Sequence, residues 1–381
     1  MSFAASIVGV HATPPGKSID TPTLALCLEA ARGALKDAGL DFADVDGMCA
    51  RWPGPGGSVE HPNSVDWTDL LGMPLRWVGD TYPQGIPAVL DAAAAIDAGL
   101  CDTVLIVGGQ SQTKLPGKVA AYTRPANEFT APWGAYTTAQ FALIAQSHLH
   151  RFPDSRDAAA LVAATIRNAG SENPEAVMCG RGPYTAEDVL NSTRVAEPLN
   201  LLDLCLVTEG AVAIVVSSDE RAAGTRRPVK ILGGGAEWHR QQYVDPARYE
   251  EAWTLGSDAA RRSFDLAGLT PQDIDVAELY DINSFEVLRQ LEVLGICGPG
   301  ESAGYVSEVG IGGESPLPVN TDGGLMSYSH LGWSGPSLKV VESVRQLRGE
   351  ADGRQVSGAK VAAMTGAGSA AQYHNVMLLG S

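Results

Sequence analysis

The chain has 381 residues, 45% of them hydrophobic and 19% charged, enough to bury a large core. Its 27 basic and 44 acidic residues leave a net charge of −17, and no Lys/Arg-rich stretch offers the basic footprint that nucleic-acid binding needs. Apolar runs such as AVLDAAAAIDAGL are too short and interrupted to span a bilayer, and the start, MSFAASIVGV, lacks the basic region of a signal peptide. The cysteines (Cys27, Cys49, Cys101, Cys179, Cys205, Cys297) show no CxxC spacing, which fits reduced thiols in a soluble cytoplasmic protein rather than a disulfide or zinc framework.

In chain order, residues 21–38 read as an amphipathic helix with Leu24, Cys27, Leu28, Ala31, Leu35 and Ala38 on one stripe, opened by Thr21-Pro22 and stopped by Gly39. Residues 85–100 read as a helix of small residues, and 103–109 (TVLIVGG) as a fully buried strand. Further strands are expected at 211–218, 229–235, 276–280, 360–366 and 374–380. Continuous apolar strands alternating with helices imply an α/β protein whose sheet is covered on both faces.

An internal repeat organises this pattern. AARGALKDAGLDFADVD (30–46) aligns without gaps on AARRSFDLAGLTPQDID (259–275), with eight of 17 positions identical. In both copies a helix ends at Ala-Gly-Leu and an Asp-x-Asp leads towards a strand. An offset of 229 residues, more than half the chain, points to two duplicated halves, about 1–220 and 225–381. The stretch 111–205 has no counterpart in the second half and reads as a loop insertion.

Three segments carry a family resemblance. TRVAEPLNLLDLCLVTEGAVAIVVSS closes the insertion and enters the last strand of the first half; ELYDINSF (278–285) sits where a His-Asp-x-Phe motif occurs in sterol-carrier-type thiolases; and PVNTDGGLMSYSHLGWSG (318–335) is similar to an Asn-x-Gly-Gly…Gly-His-Pro-x-Gly segment. Together, and in this order, they resemble the thiolase superfamily. The resemblance implies the thiolase fold, with duplicated halves in a five-layer αβαβα arrangement.

Departures from the family pattern decide the chemistry. Thiolases carry a nucleophilic Cys in a Cys-x-x-Gly turn at a helix N-terminus, where the dipole favours a thiolate; here the turn reads Tyr82-Pro83-Gln84-Gly85. A phenol of pKa about 10 is a poor acyl carrier, so Tyr82 either fills the space of the lost thiol or contacts substrate. The second thiolase Cys should fall near MTGAGS (364–369), yet no cysteine follows Cys297. The motif's His is Tyr280, whereas His330 matches the histidine of Gly-His-Pro.

This combination resembles the lipid-transfer-protein aldolases of steroid side-chain degradation, which cleave a β-hydroxyacyl-CoA to a ketone or aldehyde and a shorter acyl-CoA. Retro-aldol cleavage needs two proton-transfer groups and oxyanion donors, and no covalent intermediate. Tyr280 is expected to deprotonate the β-hydroxyl and His330 to protonate or stabilise the enolate, with the two roles open to exchange. Turns at Gly323-Gly324 and Gly366-Ala367-Gly368 are candidate backbone donors to the thioester oxygen, and Tyr328 is a further polar candidate for substrate contact. No cofactor or metal is expected beyond the CoA thioester. The resemblance also implies a small partner with an OB-fold and a zinc ribbon, in a heterotetramer. A homodimer is expected through the first half, because 103–111 is too apolar to be left as an exposed edge. The competing readings are an acyl-CoA C-acyltransferase and a non-catalytic subunit that binds CoA esters.

Overall fold

The computed structural model describes residues 3–50, 63–72, 74–80, 85–111, 137–238, 249–368 and 373–381. Its first part runs β1 (Ala5–Ala12), α1 (Thr23–Ala38), β2 (Gly47–Ala50), α2 (Asp66–Leu71), β3 (Trp77–Gly79), α3 (Ile86–Asp97) and β4 (Thr103–Gln110). After β4 come α4 (Thr137–Arg151), α5 (Ser155–Glu172), α6 (Ala186–Asn191) and the hairpin β5 (Arg194–Ala196) and β6 (Leu199–Asn200), before β7 (Gly210–Ser218) and α7 (Asp219–Ala222). The second part runs β8 (Val229–Trp238), α8 (Tyr249–Thr254), α9 (Ser257–Ala267), β9 (Val276–Glu278), α10 (Ser284–Val293), α11 (Ser302–Glu308), α12 (Gly335–Arg348), β10 (Val361–Gly368) and β11 (Tyr373–Gly380).

The strand order, β3-β2-β4-β7-β1-β8-β11-β10-β9, reads as a palindrome about the β1–β8 junction. Even the outer neighbours correspond: β3 lies parallel beside β2, and residues around Val319 bridge Ala277 of β9 in parallel. The junction itself is slight, two antiparallel pairs (Ser6 with Lys230, Ile7 with Val229).

Three hydrophobic cores separate the layers. Leu26, Ala30 and Ala34 of α1 pack with Val8, Met48, Leu105 and Val215 on the outer face of the first-half strands. Between the two sets of strands, Val89 and Ala93 of α3 and Leu338 and Val344 of α12 share one core with Ile106, Ile214, Met364 and Met377. On the far side, Phe264 of α9, Leu288 and Leu291 of α10 and Ile166 of α5 cover Ala363, Val376 and Leu378. The result is the expected five-layer αβαβα arrangement.

The repeated segments fold alike in detail. Both α1 and α9 stop at a left-handed glycine, Gly39 at φ 71° and Gly268 at φ 67°, where an L side chain would be strained. Each is followed by a short 3₁₀ turn, Phe42–Asp44 or Pro271–Asp273, closed by a capping box from Asp41 or Thr270. The helix-to-strand contacts match as well. A Cβ on Gly9 of β1 would lie 2.1 Å from the Ala34 carbonyl oxygen, and one on Gly233 of β8 would lie 2.2 Å from that of Ser263, the repeat equivalent of Ala34.

Two expectations need correction. β4 is not an edge strand: it pairs with β2 on one side and β7 on the other, and the sheet satisfies its apolar run internally. The edge in the first part is the short strand β3, with Val78 38% exposed. The strand expected at 276–280 ends at Glu278, and Tyr280 lies just beyond it.

Because backbone carbonyls occupy both positions, Gly9→Ala and Gly233→Ala should each destabilise the fold by about 1–3 kcal/mol, the usual cost of overpacking. Denaturant midpoints check this. Two neutral substitutions would show that the close approach of helix to strand is not required.

Candidate active site

Three segments meet beyond the ends of β9 and β10. The residue after Tyr280, Asp281, is fully buried, and its carboxylate accepts the backbone N–H groups of Leu325 (3.0 Å) and Met326 (3.1 Å). A Cβ on Gly324 would lie 2.2 Å from Asp281 Oδ2, so only glycine allows the carboxylate this close to the turn. The turn spans Gly324–Tyr328 and leads directly to His330. The third segment, 204–208, comes from the end of the insertion and threads between the other two: Cys205 N–H donates to Ile282 (3.1 Å), Leu206 N–H to Leu325 (2.9 Å) and Thr208 N–H to His330 (3.2 Å).

This lattice gives His330 a defined state. Its Nδ1 lies 3.0 Å from the Leu206 carbonyl, which can only accept, so Nδ1 carries the proton and Nε2 is the acceptor nitrogen of a neutral ring. Burial holds the His330 pKa below 6.5, and Lys339 adds to the effect, while the Leu206 hydrogen bond and Asp281 oppose it. Its backbone N–H donates to Thr208 Oγ1 at 2.9 Å. A Cβ on Gly335 would lie 2.7 Å from His330 Cδ2, so the ring rests against the first residue of α12.

Tyr280 is buried in a small cluster with Leu325 and Ala367, and Cys205 packs against that cluster. Its backbone N–H donates to Thr365 Oγ1 at 2.9 Å, and its carbonyl accepts from Gln290 Nε2 at 2.7 Å. Cys205 also approaches the histidine, with Sγ 3.4 Å from His330 Nδ1. Burial and Asp281 push the Cys205 thiol up to about 12, which keeps it protonated at neutral pH and disqualifies it as a nucleophile.

Behind these residues lies a buried charge cluster. Lys339 of α12 sits 2.9 Å from Asp281 Oδ1 and 3.7 Å from Glu278 Oε2. Burial opposes the Lys339 charge, but Asp281, Glu278 and Asp322 outweigh it and hold its pKa above 10.5. Glu278 is raised well above 4.5 by burial and by Asp322, and burial raises Asp322 from 3.8 to about 6 despite Lys339. Glu342 completes the cluster through Arg354, with Nε 3.0 Å and Nη2 2.9 Å from its carboxylate.

The structure therefore brings Tyr280, His330 and the Gly324 turn together. Other candidates stand differently. The Gly324 N–H donates to Asp322 Oδ1 at 2.7 Å and is not free to serve as an oxyanion donor. Gly366 and Gly368 lie within β10 rather than in a turn, and a Cβ on Gly368 would strike the Tyr373 hydroxyl at 2.1 Å. Tyr328 packs in the central core; burial raises its pKa, with Arg345, Asp322 and Glu175 as its charged surroundings. Tyr82 lies outside the described residues. Sequence reasoning passed over Cys205 and Arg167. Arg167 of α5 is buried and donates to the carbonyls of Leu202 (2.8 Å), Leu204 (2.8 Å) and Met326 (3.0 Å), clamping the insertion onto the turn. No local motif marks either residue. Among the described residues no group of three or more His, Cys, Asp or Glu side chains could hold a metal ion, and no helix is long and apolar enough to cross a membrane.

Comparison with known proteins identifies the family. A family described as thiolase C-terminal domain-like matches residues 241–381. The 17-hydroxy-3-oxo-4-pregnene-20-carboxyl-CoA lyase of Mycobacterium tuberculosis is 35% identical over 370 residues, 92% of each chain. An acetyl-CoA acetyltransferase of Methanothermobacter thermautotrophicus is 31% identical, covering 93% of this chain and 94% of its own. Among solved structures, an Ltp2-ChsH2(DUF35) aldolase superposes with a TM-score of 0.86 at 26% identity, covering 99% of this chain and 97% of its own. The chain belongs to the thiolase superfamily, in its branch of sterol-carrier and lipid-transfer-type thiolase-like aldolases.

The acidic cluster predicts a pH effect of known sign. A carboxyl whose folded pKa is raised binds its proton more tightly in the native state. For Asp322 that contribution is fully present below its unfolded value of 3.8 and is lost as pH rises through about 6. Asp322→Asn keeps an acceptor for Gly324 but does not ionise. The unfolding free energy of the natural protein, relative to this variant, should therefore fall as the pH rises from about 4 to about 6 and level off above that. A difference that stays constant or rises over that interval would contradict the assignment.

Proposed function

We propose that the protein is a carbon–carbon lyase that cleaves a β-hydroxyacyl-CoA by a retro-aldol reaction, with a steroid side-chain thioester as substrate. The observation that carries this reading is the lattice around Cys205, which joins Tyr280 and His330 with the intervening sulfur held as a neutral thiol. Such a site can move protons but has no thiolate to carry an acyl group. The lyase name of the mycobacterial relative and the aldolase name of the superposed structure support the same reaction.

In the reaction a base takes the proton of the β-hydroxyl and its oxygen becomes a carbonyl. The Cα–Cβ electron pair passes into the thioester as an enolate, and the ketone or aldehyde departs. An acid then returns a proton to Cα, giving the shorter acyl-CoA, so no atom is gained or lost overall. Neutral His330, with Nε2 as acceptor, suits the base; Tyr280 suits the acid. This exchanges the roles that the sequence alone suggests, because burial lowers the His330 pKa and keeps its ring neutral and able to accept a proton.

The acetyltransferase name of the archaeal relative keeps acyl transfer as the rival. That reaction needs a thiol nucleophile, and the sequence has Tyr82 in the family's nucleophile position. We further propose a cytoplasmic homodimer joined along the β3 edge, working with a small DUF35-type partner that carries an OB-fold and a zinc ribbon, in a heterotetramer. The partner named in the aldolase structure motivates this assembly.

Incubation with a β-hydroxyacyl-CoA, alone and with such a partner, should yield a carbonyl product and a shorter acyl-CoA by mass spectrometry. Tyr280→Phe and His330→Ala should each lower the rate by about a hundredfold to ten-thousandfold while the protein stays folded. A variant that keeps most of its cleavage activity would remove that residue from the mechanism. Cys205→Ala should cost far less than the roughly million-fold loss typical of a missing nucleophile. Since only neutral His330 accepts a proton, kcat/KM should be level above pH 6.5 and fall below it. An acid limb lying above 6.5 would exclude His330 as the base.

A further inference from the structure

Asn375 of β11 is fully buried, and among the described residues neither its Oδ1 nor its Nδ2 has a hydrogen-bond partner. A buried polar group left unpaired costs on the order of 1–3 kcal/mol, so its presence calls for an explanation. Strand alternation puts Asn375 on the inner face with Met377 and Leu379, both part of the central core, where a leucine would carry no such cost.

Its position supplies the explanation. Asn375 stands opposite Gly366 in the β10–β11 ladder. A Cβ on Gly366 would lie 3.6 Å from Pro336 Cβ, 3.7 Å from Asn375 Nδ2 and 3.8 Å from Ile86 Cδ1. Ile86 opens α3 and Pro336 is the second residue of α12, so the starts of both central helices meet beside the amide. They touch each other there, since a Cβ on Gly85 would lie 2.8 Å from Ser337 N. The residue before Pro336 is Gly335, against which the His330 ring rests. Two helix N-termini favour negative charge at this point, and the orphaned amide lies across Gly366 from them.

We propose that Asn375 is a substrate-contacting residue whose Nδ2 donates to the carbonyl oxygen of the CoA thioester, and so to the enolate oxygen that forms as the Cα–Cβ bond breaks. The assignment rests on the retro-aldol reading of the site.

Asn375→Leu and Asn375→Asp test the assignment in the whole chain, with three measurements: thermal unfolding without ligand, kcat and KM for β-hydroxyacyl-CoA cleavage, and calorimetric binding of acetyl-CoA against free CoA. Asn375→Leu should unfold at the same or a higher temperature than the natural protein, because it removes an unpaired amide. Its kcat should fall about a hundredfold to a thousandfold with KM nearly unchanged, as for loss of an oxyanion donor. It should also bind acetyl-CoA no better than the natural protein binds CoA. Asn375→Asp, which loses the donor but keeps the shape, should slow cleavage likewise. An undiminished kcat in either variant would overturn the proposal and leave the retro-aldol reading intact. If the natural protein cleaves no β-hydroxyacyl-CoA, the retro-aldol reading fails instead. The binding arm then decides for Asn375, and an acetyl-CoA preference that survives in both variants would overturn it.

Discussion

A carboxylate taken out of water costs several kcal/mol unless a counter-charge and hydrogen bonds replace its solvent. At Asp281 the Lys339 ammonium lies 2.9 Å away, and the N–H groups of Leu325 and Met326 take up the remaining lone pairs. Because Asp281 follows Tyr280 directly, and the turn it holds runs straight into His330, one buried carboxylate sets the relation between the two proton-transfer candidates. The glycine at 324 is a consequence: any side chain there would displace the carboxylate. Further out, burial raises the pKa values of Glu278 and Asp322, and with Asp281 and Glu342 they make four buried carboxyls that share two cations, Lys339 and Arg354.

The duplicated scaffold is symmetric, and the site depends on where that symmetry fails. The β10–β11 connection spans four residues, 369–372, whereas the β4–β7 connection spans 111–209 and contains α4, α5, α6 and a hairpin. Its last residues, 204–208, are the segment that binds both Tyr280's neighbour Ile282 and His330, and its helix α5 carries Arg167. A connection on the first half thus completes a site whose two titrating side chains belong to the second. Symmetric layers supply the rigid frame, and the insertion supplies the contacts that set the histidine's tautomer.

These levels differ in how far the sequence discloses them. The layered α/β fold was legible because strands buried on both faces read as unbroken apolar runs, and the repeat because identical helix stops recur at one offset. Tyr280 and His330 were legible as motif positions. Cys205 lies within a family segment yet reads from the sequence as one of several scattered thiols, since its meaning comes from contact with His330, 125 residues away in sequence. Arg167 lies in a helix whose pattern shows only an apolar stripe, and its three carbonyl partners belong to distant turns. The opposite error arose at β4, where apolar composition suggested an exposed edge and the ladder shows an interior strand. Composition reports that a strand must be covered; it does not say by what.

Chemistry follows from what these contacts permit. Condensing enzymes of this superfamily need a thiolate, and here the sulfur nearest the histidine belongs to half-buried Cys205, near a carboxylate, with its pKa pushed up to about 12. The same burial that silences Cys205 lowers the His330 pKa, because desolvation penalises whichever form is charged. One partly desolvated environment therefore keeps the thiol protonated and the histidine neutral. Enolate stabilisation needs donors rather than a thiol, and an unpaired amide at Asn375 beside two helix starts remains able to give one. Cleavage of a carbon–carbon bond between a hydroxyl and a thioester is the reaction that uses every one of these features and asks for none that is missing.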